Sequence, residues 1–437
     1  MKYYSTNKQE PLVSLKKAVI KGLAGDRGLY MPENVDLLKD FVIGEMKNMT
    51  LQEIANVVSL ALFGDDINPD TLNEIVNDTL SFDIPVVPVH DRIYSLELFH
   101  GPTLAFKDVG ARFMARLLGH FIDNEGVKDV NVLVATSGDT GSAVANGFLG
   151  VEGIRVYILY PKGKVSAIQE CQFTTLGQNI VALEVDGTFD DCQALVKSAF
   201  MDEEINAHLK LTSANSINIA RFLPQSFYYF YAYAQLDKAG CADQLVISVP
   251  SGNFGNLTAG LFAYWMGLPV KRFIAANNRN DVFYNYLQTG LYTPQPSVTT
   301  LANAMDVGDP SNFARITDLF SIYPDPYKAI KKVISGYRFT DEEIAAVMRS
   351  VYERYGYILD PHGACGYQAL IADSLTDGET GLFLETAHPA KFKPIVDDIL
   401  HADIEIPPKL QHFMNGKKQT VELNKDFPAF KTYLLGQ

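Results

Sequence analysis

A chain of 437 residues with 47 % hydrophobic and 20 % charged side chains has room for two or three domains and the make-up of an ordinary globular protein. Its formal charge of −14 speaks against nucleic acid as a partner, because such binding needs basic surface to neutralise phosphates. The four cysteines, Cys171, Cys192, Cys241 and Cys365, are far apart and form no CxxC pair, which argues against a disulfide framework and a zinc site and for a reducing cytoplasm.

The first residues, MKYYSTNKQEPL, lack the apolar core of a signal peptide. Residues 1–90 read as a helical cap. Segments 12–23 and 51–62 carry helical apolar spacing, and the turn-rich GDRGLYMP at 25–32 lies between them. From about residue 91 strand-like runs alternate with helical ones. The strands are expected at 131–136, 154–160, 180–185, 245–250 and 272–276, and the helices at 140–148, 166–177, 189–200 and 256–266. Such alternation implies an α/β fold of parallel sheets with helices on both faces. The longest mostly apolar run, 257–270, is too short to span a membrane and reads as a buried helix. Segment 283–320 is rich in Pro and Asn and reads as an irregular insertion.

In α/β folds ligands bind where strands end and loops enter helices, and the chain's polar motifs lie at such places. HGPTLAFKD at 100–108 sets Lys107 between an apolar turn and a helix carrying Val109, Phe113, Leu117 and Phe121 on one face, with Asp108 able to cap it. Held against Leu104 and Phe106, this lysine would be partly desolvated and suited to Schiff-base chemistry and proton transfer. Taken alone it reads first as a solvated surface lysine, as most lysines near a helix start are. ATSGDTGS at 135–142 follows a strand and opens a helix; its small residues and the hydroxyls of Thr136, Ser137, Thr140 and Ser142 suit a carboxylate or phosphate. The alternative is a tight turn capped by Asp139. SGNFGN at 251–256 resembles a phosphate cradle, but it is neither a P-loop nor GxGxxG, and a plain loop stays open as a reading. SANSINIAR at 213–221 gathers Asn215, Ser216, Asn218 and Arg221 before an aromatic helix at 222–233. Such a group can grip a phosphate, or simply cap a helix beside a surface arginine. His388, beside a proline, is expected to be structural. A lysine together with several anion loops matches the needs of pyridoxal phosphate and an amino-acid substrate that itself carries phosphate.

Taken together and in this order, HGPTLAFKD, ATSGDTGSA, SGNFGN and ETAHPAKF, with the opening YYST and KGLAGDRGLYMPE, resemble the threonine synthase family of the longer bacterial and fungal type over nearly the whole chain. The resemblance implies a fold-type II pyridoxal-phosphate enzyme, similar to tryptophan synthase β, with two parallel-sheet domains, the cofactor in the cleft and an N-terminal helical cap. It implies a large cofactor-binding domain at 91–112 and 213–437 and a small mobile domain at 113–212. It further implies that Lys107 carries the cofactor and is the catalytic residue. Gly252, Asn253, Phe254 and Asn256 would hold the cofactor phosphate, Thr386 would face the pyridine nitrogen, and Asp139 would lie near the ring oxygen. Thr136, Ser137 and Thr140 would receive the substrate carboxylate, and Asn215, Ser216 and Arg221 its phosphate. The substrate implied is O-phospho-L-homoserine, turned over with water to L-threonine and phosphate by a carbon–oxygen lyase. No metal, membrane, nucleic acid or obligatory protein partner is expected. The other readings are a dehydratase of the same fold and a protein that binds the cofactor without turnover.

Overall fold

Strands buried on both faces need unbroken apolar runs, and the chain supplies them. Val130–Ala135, Leu245–Pro250 and Thr380–Glu385 are buried at every position. A computed structural model describes residues 1–125 and 130–436, except for the side chains of residues 124 and 125. The expected alternation is borne out across both sheets: Val130–Ala135, Ile154–Pro161, Ile180–Asp186, Leu245–Pro250 and Val270–Asn277 are strands, and Asp139–Phe148, Ala167–Thr174, Phe189–Met201 and Gly255–Trp265 are helices.

The chain divides into two compact units. The first comprises Met1, Met31–Phe106 and Phe222–Glu405. Its six-stranded sheet runs in the order Ile334–Arg338, Val270–Asn277, Leu245–Pro250, Thr380–Glu385, Ile93–Glu97 and Val86–His90. Neighbours pair in parallel except the last two, which are antiparallel. Helix Pro361–Asp373 covers this sheet with Ala364, Cys365, Ala369 and Leu370, all in a core shared with Val246, Ile274 and Phe383.

The second unit comprises Lys2–Tyr30, Lys107–Arg221 and Ile406–Gln437. Its five-stranded sheet runs in the order Val421–Asn424, Ile180–Asp186, Ile154–Pro161, Val130–Ala135 and Lys210–Ser213, and all neighbours pair in parallel. Helix Lys107–Glu125 belongs to this unit, and Val109, Phe113, Leu117 and Phe121 are all buried, as their spacing predicts.

The expected domain limits differ from these units. Helix Lys107–Glu125 is one continuous element, so the boundary falls before it and not at 112/113. The expected cap at 1–90 is divided. Thr212 Oγ1 and Asn218 Nδ2 donate to the Val19 carbonyl at 3.1 and 2.9 Å, tying helix Leu15–Lys21 to the second unit. Residues beyond Glu405 leave the expected large domain because Val421 pairs with Leu183 and extends the second sheet. Segment 283–320 is less irregular than expected, since it contains most of helix Val282–Thr289 and the whole of helix Phe313–Phe320. The aromatic helix is also broken: Pro224 places a short 3-10 turn, Leu223–Gln225, between Ile219–Phe222 and Ser226–Lys238. Asp108 is not a cap. The helix begins one residue earlier, and Asp108 lies buried in its first turn.

Candidate active site

In the first unit, SGNFGN follows strand Leu245–Pro250 and leads into helix Gly255–Trp265. The turn is anchored where Ser251 N donates to the Ala276 carbonyl at 2.8 Å and Asn277 Nδ2 donates to the Ser251 carbonyl at 3.1 Å. A side chain at Gly252 would come within 2.7 Å of Met305 Cα, so the close approach there requires glycine. Phe254 adopts a left-handed φ of 62°, which turns the chain sharply into the helix. Asn253 faces a second loop: its Oδ1 accepts from Ser311 N at 2.6 Å and its carbonyl from Asn312 Nδ2 at 2.9 Å. Asn256 Oδ1 accepts from the hydroxyls of Tyr228 at 2.8 Å and Tyr229 at 2.7 Å. Asn256 Nδ2 is buried, with no hydrogen-bond partner among the described residues. A buried donor in the first turn of a helix is suited to an anion.

Thr386 follows strand Thr380–Glu385 and is buried. Its carbonyl accepts from Phe106 N at 2.9 Å, and His388 N donates to the Leu104 carbonyl at 3.0 Å. Lys391 Nζ adds a 2.8 Å bond to the Thr103 carbonyl. The residues just before Lys107 are therefore laced to those around Thr386. Burial and the nearby Asp360 push the Glu385 carboxyl well above the usual carboxylate range, and its Oε1 accepts from Asp360 N at 2.6 Å. His388 acts as a cap: its Nδ1 accepts from Ala390 N at 3.1 Å.

In the second unit, Lys107 opens its helix, and its carbonyl accepts from Arg221 Nη1 at 3.1 Å. Arg221 Nε donates to the Ala214 carbonyl at 2.6 Å, so this buried guanidinium ties Ala214 to the first residue of that helix. The 136–140 loop is built on Thr136, whose Oγ1 accepts from Gly138 N at 2.9 Å and Gly141 N at 2.8 Å. Gly138, at φ 143°, is the residue before helix Asp139–Phe148. Buried Asp139 accepts from Gln169 Nε2 at 2.8 Å, while Ser137 and Thr140 are half-exposed. Asn215 Nδ2 donates to the Ala135 carbonyl at 3.1 Å, which brings the 213–216 segment to the 136–140 loop. Asn218 stands apart from that group, since its amide is spent on Val19 and Ser213. Gln169, Asn312 and Arg315 escape sequence reasoning, because no motif marks a residue that acts on another residue of a site.

A family model described as "Pyridoxal-phosphate dependent enzyme" matches residues 88–386. Models described as "Threonine synthase N terminus" and "Threonine synthase, C-terminal" match residues 2–80 and 363–434. The threonine synthase of Escherichia coli strain K12 is 45 % identical over 100 % of this chain and 99 % of its own length. The chain belongs to the threonine synthase family of pyridoxal-phosphate-dependent enzymes. The threonine synthase of Saccharomyces cerevisiae is 34 % identical over 91 % of this chain and 89 % of its own. Crystal structures of family members superpose closely. That of the Escherichia coli protein gives a TM-score of 0.93 at 45 % identity, covering 100 % of both chains. The pyridoxal-phosphate-bound threonine synthase of Brucella melitensis gives 0.93 at 34 % identity, covering 99 % of this chain and 98 % of its own. The expected fold-type II architecture is thereby borne out, and pyridoxal phosphate is the family's cofactor. In the first unit the glycine-lined turn, with the buried Asn256 donor at its end, fits the phosphate of that cofactor.

Proposed function

We propose that this chain converts O-phospho-L-homoserine and water into L-threonine and inorganic phosphate, the last step of threonine synthesis. Family membership over the whole length carries this reading. Lys107, braced through its own carbonyl by Arg221, supplies the reactive amine.

Pyridoxal phosphate, when bound, supplies an aldehyde for a lysine amine and a ring that accepts the electron pair left at a deprotonated carbon. The first turn of helix Gly255–Trp265, with Gly252, Asn253, Phe254 and Asn256, is assigned to the cofactor phosphate. The Thr386 hydroxyl is assigned to the pyridine nitrogen, and Asp139 to the neighbourhood of the ring oxygen. Thr136, Ser137 and Thr140 are assigned to the substrate carboxylate, with the N–H groups of Gly138 and Gly141 already occupied by Thr136. Asn215, Ser216 and Arg221 are assigned to the substrate phosphate. Arg221 has a second task, because its bonds to Ala214 and Lys107 hold the backbone that presents the lysine. The Lys107 amine is the group that takes the proton from Cα and moves one proton from Cβ to Cγ as phosphate leaves Cγ; water then adds its hydroxyl at Cβ, its other proton goes to the released phosphate, and the amine returns a proton to Cα. Among the described residues no group of His, Cys, Asp and Glu could hold a metal, and no helix is long and apolar enough to cross a membrane.

The test is a product assay on the cofactor-loaded protein. O-phospho-L-homoserine should yield phosphate and L-threonine in equal amounts, and Lys107→Ala should lose turnover together with the cofactor's bound-state absorbance. Phosphate released with a keto acid would mean elimination without controlled hydration, and a fully active Lys107→Ala would remove the lysine from its role.

A further inference from the structure

Among the described residues Arg315 is the largest fully buried side chain, and none of the four ligand motifs contains it. It lies in the first unit on helix Phe313–Phe320, within the stretch whose sequence reads as irregular. Its guanidinium sits 4.0 Å over the Phe222 ring, and Nη1 donates to Asn312 Oδ1 at 2.7 Å. The Asn312 amide then has a fixed sense, with Oδ1 turned to the cation and Nδ2 donating to the Asn253 carbonyl at 2.9 Å. The neighbouring Ser311 N holds Asn253 Oδ1 at 2.6 Å. Both ends of Asn253, backbone and side chain, are thus gripped by the two residues 311 and 312, and residue 312 is gripped by the arginine. Rings reinforce the seam: Phe254 lies 4.6 Å from Phe283, which in turn lies 6.1 Å from Phe313.

A guanidinium held out of water acts on its surroundings through a low dielectric, where its charge is weakly screened. Burial pulls the pKa of this group down to about 9, which still leaves it charged at neutral pH. The Asn312 amide links the Arg315 cation to the SGNFGN loop, and the loop itself ends in the buried Asn256 donor and the positive end of a helix. We propose that Arg315, acting through Asn312, is a positioning residue for the cofactor phosphate: it locks Asn253 in place and lends the loop positive potential. This inference rests on the assignment of that loop to the cofactor phosphate.

The test compares two ligands that differ only in the phosphate. Full-length protein freed of cofactor is titrated with pyridoxal phosphate and with pyridoxal, and the ratio of their dissociation constants is read. Arg315→Met and Asn312→Ala should each weaken pyridoxal phosphate about tenfold or more, as expected for a charge-assisted contact, and shift pyridoxal by no more than about twofold. Arg315→Lys should recover part of the lost preference, because it restores the charge without the planar fork. A variant that weakens both ligands equally, or neither, would overturn the relay. Asn256→Ala serves as the reference for the loop. If it loses the phosphate preference while Arg315→Met keeps it, only the relay fails; if it keeps the preference, the loop assignment fails and the relay with it.

Discussion

At the scale of single residues, the site separates groups that meet ligands from groups that hold other groups. His388 belongs to the second kind. Its burial, with His100 adding to the effect, holds the imidazole down at about 4, and Nδ1 must stay unprotonated to accept from Ala390 N. The unfolded chain, with an ordinary histidine, binds this proton near pH 6.5, so between pH 6.5 and 4 the unfolded state is the one that gains protons. Stability from this residue is therefore present above pH 6.5 and lost as the pH falls toward 4. The difference corresponds to no more than about 3 kcal/mol, and to less insofar as solvent reaches the half-buried ring. His388→Asn keeps an acceptor at the cap and removes the titration. Its urea midpoint should fall less than the parent's between pH 7.5 and 4.5, while the shape of kcat/KM against pH stays unchanged. An equally steep fall would show that His388 is not the group responsible, and a changed rate profile would give it a catalytic part.

At the scale of elements, the second unit is completed from the far end of the chain. Strand Val421–Asn424 lies beside Ile180–Asp186, and helix Phe427–Leu435 places Phe430 and Leu434 in a core with Leu195, Val196, Ala199 and Ile205. Lys431 fixes the same helix by an ion pair of 2.8 Å with Asp202. Without these elements an apolar sheet edge and a helix face would lie open to solvent. Leu434 is 1 % exposed, so Leu434→Ala should cost about 3 kcal/mol in chemical denaturation. A loss below about 0.5 kcal/mol would make the terminal helix peripheral to the fold. Helix Lys107–Glu125 shows a similar dependence on remote chain. Gly110 lies against the Arg221 carbonyl so closely that no side chain fits, and this approach lets Arg221 reach the first residue of the helix.

At the scale of the whole molecule, the residues assigned to the cofactor come from distant parts of the chain, at 107, 139, 252–256 and 386. A ligand that binds only the native chain stabilises it by mass action, by about 3 kcal/mol at a hundredfold excess over Kd. Removing pyridoxal phosphate should therefore lower Tm by several degrees, and adding it back should restore the loss. An identical Tm with and without cofactor would mean that these residues do not form one native-state site.

Strand–helix alternation, the buried helical faces and the order of four motifs were legible in the sequence, because they depend on periodicity and local turn chemistry. Lys107, the SGNFGN loop and the 136–140 loop were singled out for that reason. The boundary before residue 107, the passage of residues beyond Glu405 into the second unit and the helices within 283–320 were not legible, since each depends on what a segment packs against. The same holds for side chains that act through others. Arg221 read as a phosphate ligand and is also found bracing Lys107, and Arg315 carried no signal at all. Sequence by itself determined the strand–helix alternation, the motifs and the family. Tertiary structure alone decided which distant residues share a sheet, a core or a hydrogen bond, because such contacts are set by burial and close approach in space and not by spacing along the chain.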